Sequence, residues 1–100
     1  MGLDIRDVAD HYSDVADCRD TDRRTFFYAN DCNQLINVQV QASEDESFTN
    51  VFNVGTVQSV GAGTRISQLI SDYYPYMRIR ATAAVAPTSG TFNAWIAKLR

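Results

Sequence analysis

Few side chains in this sequence can act as a nucleophile or a general base. His11 is the only histidine, and Cys18 and Cys32 are the only cysteines. Cysteine catalysis requires a histidine beside the thiol and a further group that orients the imidazole. His11 lies in an acidic N-terminal stretch, where an exposed histidine is the simpler interpretation. We therefore expect no catalytic residue and no enzymatic activity.

Paired carboxylates are the next candidates for chemistry. Glycoside cleavage requires one carboxyl whose pKa is raised by an apolar pocket. Glu44 and Glu46 flank Asp45 in a polar turn, which is the wrong environment for such a group. Because these carboxylates lie in polar surroundings, they do not form a catalytic pair, and we expect that the protein is not an enzyme.

The aspartates near the N-terminus invite a metal interpretation. Seven of them lie within the first 24 residues: Asp4, Asp7, Asp10, Asp14, Asp17, Asp20 and Asp22. Calcium loops place their oxygens at alternate positions around a glycine, whereas these residues are spaced mostly by three or four and no glycine follows until Gly55. Two cysteines and one histidine also fall short of the four ligands of a structural zinc site. We expect no metal and no cofactor, and we predict two free thiols rather than a disulfide.

Aromatic side chains offer a binding surface instead. Tyr73, Tyr74, Tyr76 and Trp95 could form a platform that stacks on sugars. Trp95 is out of phase with Phe92 and Ile96, so it is predicted to point away from the core. Its ring would then lie under the chain's own N-terminal arm, in a subunit interface or against a glycan.

The charged residues suggest contacts between subunits. Arg78 and Arg80 share the outer face of one predicted strand and can pair with the acidic arm of a neighbour. The candidate interface residues are Asp4, Asp7, Asp10, Asp14, Asp17, Arg78, Arg80 and Trp95.

The elements that carry these residues follow a period of two. Residues 76–85 and 92–97 each alternate apolar and polar side chains, which predicts two strands, each with one buried face. Pro87 and Gly90 lie between them, so we predict a hairpin whose glycine accepts a positive φ. Residues 34–43 alternate most cleanly and place Asn37, Gln39 and Gln41 on the outer face. This amide row is either solvated or meets another protein or a glycan.

The whole pattern predicts an all-β fold. Six to eight short strands with turn signals near every tenth residue indicate an antiparallel β-sandwich of jelly-roll type. Residues 1–24 contain few apolar side chains and are predicted to be an extended or partly helical arm outside the core. Residues 25–100 form the sandwich, which we expect to remain folded without the arm.

Length and composition limit the number of domains and exclude several classes of partner. One hundred residues correspond to one domain. The net charge of −3 disfavours nucleic-acid binding, and no apolar run is long enough to span a bilayer. The N-terminus has no apolar segment typical of a secretory signal, so we expect synthesis in a cytoplasm.

The chain resembles small β-sandwich modules of phage and archaeal virus particles. The resemblance lies in four stretches, residues 30–43, 60–64, 73–81 and 87–90. In such modules an alternating strand and an acidic turn lead through a glycine pair to a Tyr-x-Arg-x-Arg strand and a Ser-Gly turn. Tyr76, Arg78 and Arg80 occupy the positions of that strand. The resemblance implies a structural protein of the virion that assembles with like subunits and has no active site. A carbohydrate-binding module is the alternative.

Overall fold

The computed structural model describes residues 2–19, 23–70 and 74–99. Within these ranges it contains nine β-strands and no helix. The strands are β1 (Gly2–Leu3), β2 (His11–Tyr12), β3 (Ala16–Asp17), β4 (Arg23–Asn30), β5 (Ile36–Ser43), β6 (Val51–Val60), β7 (Arg65–Ile70), β8 (Tyr76–Ala83) and β9 (Phe92–Leu99).

The strands form two antiparallel sheets. Sheet A has the order β1-β9-β4-β7, and sheet B has the order β2-β8-β5-β6, with β3 also paired to β8. The inner faces of both sheets contribute to one hydrophobic core. The predicted all-β sandwich is therefore confirmed.

Strand pairs are nested along the chain. β5 pairs with β6, β4 with β7, β2 and β3 with β8, and β1 with β9. The first half of the chain thus folds back on the second half around the turn at residues 44–50. Each pair adds to one of the two sheets, and the next pair outward adds to the other.

β2 and β3 act as one interrupted strand along the edge of β8. His11 lies opposite Ala81 and Ala16 lies opposite Met77, so the N-terminal side holds one extra residue. Ser13 closes this bulge. Its backbone N–H donates to the Ile79 carbonyl over 3.0 Å, and its Oγ accepts from the Ile79 N–H over 2.9 Å.

The alternation of β5 and β8 determines which side chains fill the core. The inward residues Ile36, Val38 and Val40 of β5 are fully buried. The inward residues of β8 are likewise buried, while Tyr76, Arg78, Arg80 and Thr82 lie on the outer face. The predicted buried and outer faces of both strands are therefore confirmed. An alternation of period two can be recognised from the local sequence alone.

The predicted hairpin between β8 and β9 is wrong. β8 belongs to sheet B and β9 to sheet A, and residues 84–91 cross between the sheets. Both strands have an apolar face, and placing them in opposite sheets turns these faces toward each other. The positive φ predicted for Gly90 is confirmed at +86°.

The expectation that the N-terminal arm lies outside the core does not hold for every residue of 2–19, although most of them are exposed. Leu3 pairs in sheet A, and Tyr12 pairs in sheet B. Between and after these strands, the side chains of Ile5 and Cys18 are fully buried in the core. Backbone pairing explains this location, because it extends a sheet even where apolar side chains are sparse.

Cys18 and Cys32 are not joined by a disulfide, as predicted, and both are buried. Desolvation by burial raises the pKa of the Cys18 and Cys32 thiols. The described residues contain no group of three or more histidine, cysteine or carboxylate side chains placed to hold a metal ion. They also include no helix long and apolar enough to cross a membrane.

Candidate interaction surfaces on the two sheets

The outer face of sheet B is organised around Arg78. Its guanidinium carbon lies 4.2 Å from the centre of the Tyr12 ring and 4.3 Å from the centre of the Phe48 ring. Its Nε donates to Oε1 of Gln41 over 3.0 Å. Arg78 is thus held by its own chain through two cation–π contacts and one charged hydrogen bond.

The turn at residues 44–50 positions Phe48. The Asp45 carboxylate accepts hydrogen bonds from Ser43 Oγ and Ser47 Oγ, each 2.7 Å long, and from the Thr49 N–H over 3.2 Å. Phe48 has φ 54°, a left-handed conformation that is uncommon for a bulky residue. The hydrogen-bonded turn holds this conformation and so directs the ring onto Arg78.

The same turn predicts a pH effect. Hydrogen bonds from Ser43, then from Ser47 and Thr49, lower the pKa of Asp45 below its ordinary value of 3.8. A lowered pKa in the folded state stabilises the fold above pH 3.8, and this contribution is lost as the pH falls through the lowered value. Asp45→Asn should therefore lower the melting temperature at neutral pH, and the difference from the wild type should shrink below pH 3.8.

Thermal melts from pH 7 to pH 2 measure this difference. Glu46→Gln, one residue along the same turn, is the matched control and should leave the profile unchanged. A constant difference between Asp45→Asn and the wild type at every pH would contradict the prediction.

The predicted amide row is largely occupied by the chain itself. Gln39 is 6% exposed and donates to the Val40 and Val54 carbonyls over 3.0 Å each. It lies where β6 bulges around Gly55, which has φ +71°. Gln41, 5% exposed, accepts from Arg78. These two amides stabilise the sheet rather than presenting a contact face.

Replacing Arg78 with alanine should destabilise the protein by about 2–3 kcal/mol, because it removes two cation–π contacts and leaves the buried Gln41 amide without its charged donor. Arg80→Ala is the matched control, since Arg80 lies on the same face of the same strand without a ring above it in the described residues. Urea unfolding compares the two variants. Equal losses of stability would mean that the stacking of Arg78 contributes nothing.

The predicted interface acids contact their own chain. Asp7 lies 2.8 Å from Nε2 of His11, and Asp10 accepts from Thr82 Oγ1 over 2.8 Å. Asp17 pairs with Arg19 over 2.7 Å, and hydrogen bonds from Arg19 lower the pKa of Asp17 to about 2. Asp4 and Asp14 are exposed, while Asp20 and Asp22 lie outside the described residues.

The outer face of sheet A carries an exposed apolar surface. Trp95 lies directly opposite Phe27, and their side chains are 52% and 38% exposed. Leu69, 62% exposed, and Ala97 flank Thr25 in the next row of the same face. We call Phe27, Leu69, Trp95 and Ala97 the sheet A patch. Trp95 therefore points away from the core as predicted, and residues 2–19 leave half of it uncovered.

The predicted sugar platform is not assembled among the described residues. Tyr76 lies on the outer face of sheet B, where the Arg19 guanidinium sits 5.4 Å from its ring centre. Tyr74 packs against the core, and Trp95 lies on the outer face of the opposite sheet. Tyr73 lies outside the described residues.

Sequence reasoning missed Phe27, Tyr12 and Phe48. The alternation of residues 25–30 places Phe26 and Tyr28 on one face and Phe27 on the other, and this local signal was sufficient to find Phe27. The contacts of Tyr12 and Phe48 with Arg78 join three distant segments. No local pattern reports such contacts.

Comparison of the chain with protein-family models, with curated proteins and with solved structures finds no match. The molecule is thus defined by its geometry, a sandwich of two antiparallel sheets in which Arg78 lies under two rings on one outer face and Trp95 and Phe27 are exposed on the other.

Proposed function

We propose that this chain is a non-enzymatic structural subunit of a virus particle, built on a jelly roll. The nested strand pairing carries the proposal. When β2 and β3 are counted as one interrupted strand, eight strands form two four-stranded sheets. Jelly rolls have eight strands in two sheets, and viral capsid proteins and lectins use this architecture.

The sheet A patch supports an assembling role. Contiguous apolar surface is uncommon on small soluble domains and marks contact sites. Aromatic residues such as Trp95 and Phe27 are enriched in protein interfaces. Because residues 2–19 contribute β1, β2 and β3 to the two sheets, this proposal places the main assembly contact on the sheet A patch rather than on an arm. The partners are protein subunits of the same particle, which locates the chain in the virion.

Density-gradient centrifugation of virus particles from the source of the sequence tests this function. An antibody raised against the purified chain should detect it in the particle band after high-salt washing. Labelled chain added to such particles should bind, and Trp95→Ser should weaken the binding. Phe52→Ser is the control, because Phe52 is 50% exposed on the other sheet. Detection only in the soluble fractions would overturn the proposal.

A carbohydrate-binding module is the second candidate. It is favoured by the exposed rings of Trp95 and Phe27, which lie side by side on the outer face of sheet A. Binding to a glycan array, with a change in Trp95 fluorescence that Phe27→Ala reduces, is the result expected of a lectin. The absence of any glycan ligand would remove this candidate.

A further inference from the structure

A groove on the outer face of sheet B is lined by five polar side chains and one apolar side chain. Its volume is about 340 Å³. The lining residues are Asp10, Asn37, Gln39, Val57, Arg80 and Thr82. We call this feature the Arg80 groove. Its volume lies at the lower end of the range of small-molecule sites, which are concave and contain a few converging polar groups.

The register of the strands brings these residues together. Asn37 of β5 lies opposite Thr82 of β8, and Gln39 lies opposite Arg80. Asp10 directly precedes β2, and its Oδ1 accepts a hydrogen bond from Thr82 Oγ1 over 2.8 Å. Segments that are far apart in the sequence therefore place a carboxylate, a guanidinium and two amides around one groove.

The bulge in β6 supplies the apolar wall. Val40 pairs with Val54 and Val38 pairs with Gln58, so Val57 lies in the part of β6 that is out of register with β5. The Val57 side chain is 52% exposed. Its methyl groups are thus available to a ligand that has an apolar face as well as polar groups.

Arg80 differs from Arg78 in having no partner within residues 2–19, 23–70 and 74–99. Tyr12 lies directly opposite Arg80, but its ring stacks on Arg78 in the next row. Arg80 is half-buried. No buried side-chain nitrogen in the described part of the chain lacks a hydrogen-bond partner, so the N–H groups of Arg80 are open to solvent. Its guanidinium therefore offers several donors, fixed in one plane, to a ligand.

The neighbouring polar groups also have unused hydrogen-bonding capacity. Thr82 engages only Oδ1 of Asp10, which leaves the second carboxylate oxygen as an acceptor. Asn37 accepts from Ser59 Oγ over 2.8 Å, and its Nδ2 donates to no group in the described ranges. Gln39 is the exception, because its side-chain N–H groups are bonded to backbone carbonyls and the residue forms the buried floor.

The charges of the Arg80 groove select against charged ligands. Its lining has one cation, Arg80, and one anion, Asp10, and the two form no ion pair with each other. Asp10 would repel a phosphate, and Arg80 would repel an ammonium group. A hydroxyl both accepts and donates hydrogen bonds, so adjacent hydroxyls on one ligand satisfy both residues without adding charge.

We propose that the Arg80 groove binds a neutral monosaccharide unit. Arg80 and the Asn37 amide donate to adjacent hydroxyl oxygens of the sugar, and Asp10 accepts from a neighbouring hydroxyl. The C–H groups of the sugar ring cover Val57 and remove its methyl groups from water. The site lies on the opposite sheet from Trp95 and adds a ligand that the proposed structural role does not require.

NMR titration of the full chain with glucose, galactose, mannose and N-acetylglucosamine tests the site. The ligand efficiency of small molecules limits the dissociation constant of one sugar unit to roughly the millimolar range. At least one of these sugars should shift the Asn37 side-chain amide and the Arg80 Nε–H signals in a saturable way. The Arg65 Nε–H signal, from sheet A, should not move.

Substitutions separate the groove from general charge effects. Arg80→Ala should raise the dissociation constant at least about tenfold, because it removes charged donors. Arg80→Lys keeps the charge without the planar donors and should weaken binding as well. Arg65→Ala removes the same charge from a side chain that is 66% exposed on the other sheet, and it should leave the affinity unchanged. Asp10→Ala tests the acceptor at an exposed position outside the strands, for use if Arg80→Ala does not fold.

Inorganic phosphate and glucuronate are titrated under the same conditions. Tighter binding of either anion than of every neutral sugar would overturn the assignment of the ligand class. A lack of shifts at Asn37 and Arg80 with all four sugars would overturn the site, as would an unchanged affinity in a folded Arg80→Ala variant.

The proposed function fails or stands independently of this site. Particle binding is expected to depend on Trp95, whereas sugar binding in the Arg80 groove should be unaffected by Trp95→Ser and by Phe27→Ala. A chain that binds particles without binding a sugar contradicts only this inference. A chain that binds a sugar through Arg80 without binding particles contradicts only the proposed function.

Discussion

Replacing Gly90 with alanine is expected to destabilise the protein by about 3–5 kcal/mol, the combined effect of a left-handed backbone and a steric clash. Gly90 has φ +86°, and a Cβ atom at this position would clash with the Asp31 carbonyl oxygen and lie 2.6 Å from the carbonyl carbon. Both are backbone atoms, so no side-chain rotation relieves the contact. Asp31 also pairs with Thr91, and its displacement would disturb the β4–β9 register.

Gly63→Ala is the matched control for Gly90→Ala. Gly63 has φ +74°, but no atom lies within 4 Å of a Cβ built there. Only the left-handed conformation then contributes, at about 1–2 kcal/mol. Urea unfolding at a fixed temperature gives both values. Equal losses at the two glycines would show that the chain at Asp31 moves aside and that close packing there is not required.

Replacing Ile5 with alanine is expected to destabilise the protein by about 2–4 kcal/mol, because it leaves a cavity where a fully buried side chain fills the core. Val8 lies in the same segment and is 58% exposed, so Val8→Ala should change the stability by no more than about 0.5 kcal/mol. Thermal or urea unfolding of the two variants measures the contrast. Similar stabilities for both would place Ile5 outside the core.

Deletion of residues 1–19 is the stronger test of the same segment. It removes the partner strands β1, β2 and β3 together with the side chains of Ile5 and Cys18. We expect the shortened chain to lose cooperative unfolding, contrary to the sequence-based expectation of a sandwich that folds without its arm. A shortened chain with a sharp unfolding transition would restore that expectation.

The strands of this fold were predictable where their signal is local. In β8, Met77 and Ile79 alternate with Arg78 and Arg80, and this pattern alone gives the strand and its buried face. The partner of a strand is not local information. The sequence around Gly90 is compatible with a hairpin and with a crossing between sheets, and only the packing of both apolar faces distinguishes them.

The same limit applies to the candidate surfaces. The phase of Trp95 relative to Phe92 predicted its outward direction, but its neighbour Phe27 depends on the register between β4 and β9. Arg78 was recognised as an outer-face residue, yet the rings that hold it come from two remote segments. Burial of Ile5 was not predicted, because Ile5, Val8 and Ala9 have helical spacing and the few apolar residues of this acidic segment do not indicate the buried face of a strand.

The nested pairing also constrains the order in which the chain can acquire its structure. β5 and β6 are neighbours in sequence, so their hairpin can form early during synthesis. β1 can pair only after β9 has been synthesised, so sheet A cannot be completed until residues 92–99 have left the ribosome. Until then Trp95 has not been made, and Phe27 is exposed without its cross-strand partner. Refolding in vitro should accordingly be slow for a chain of this length, since the outermost strand pair closes the longest loop.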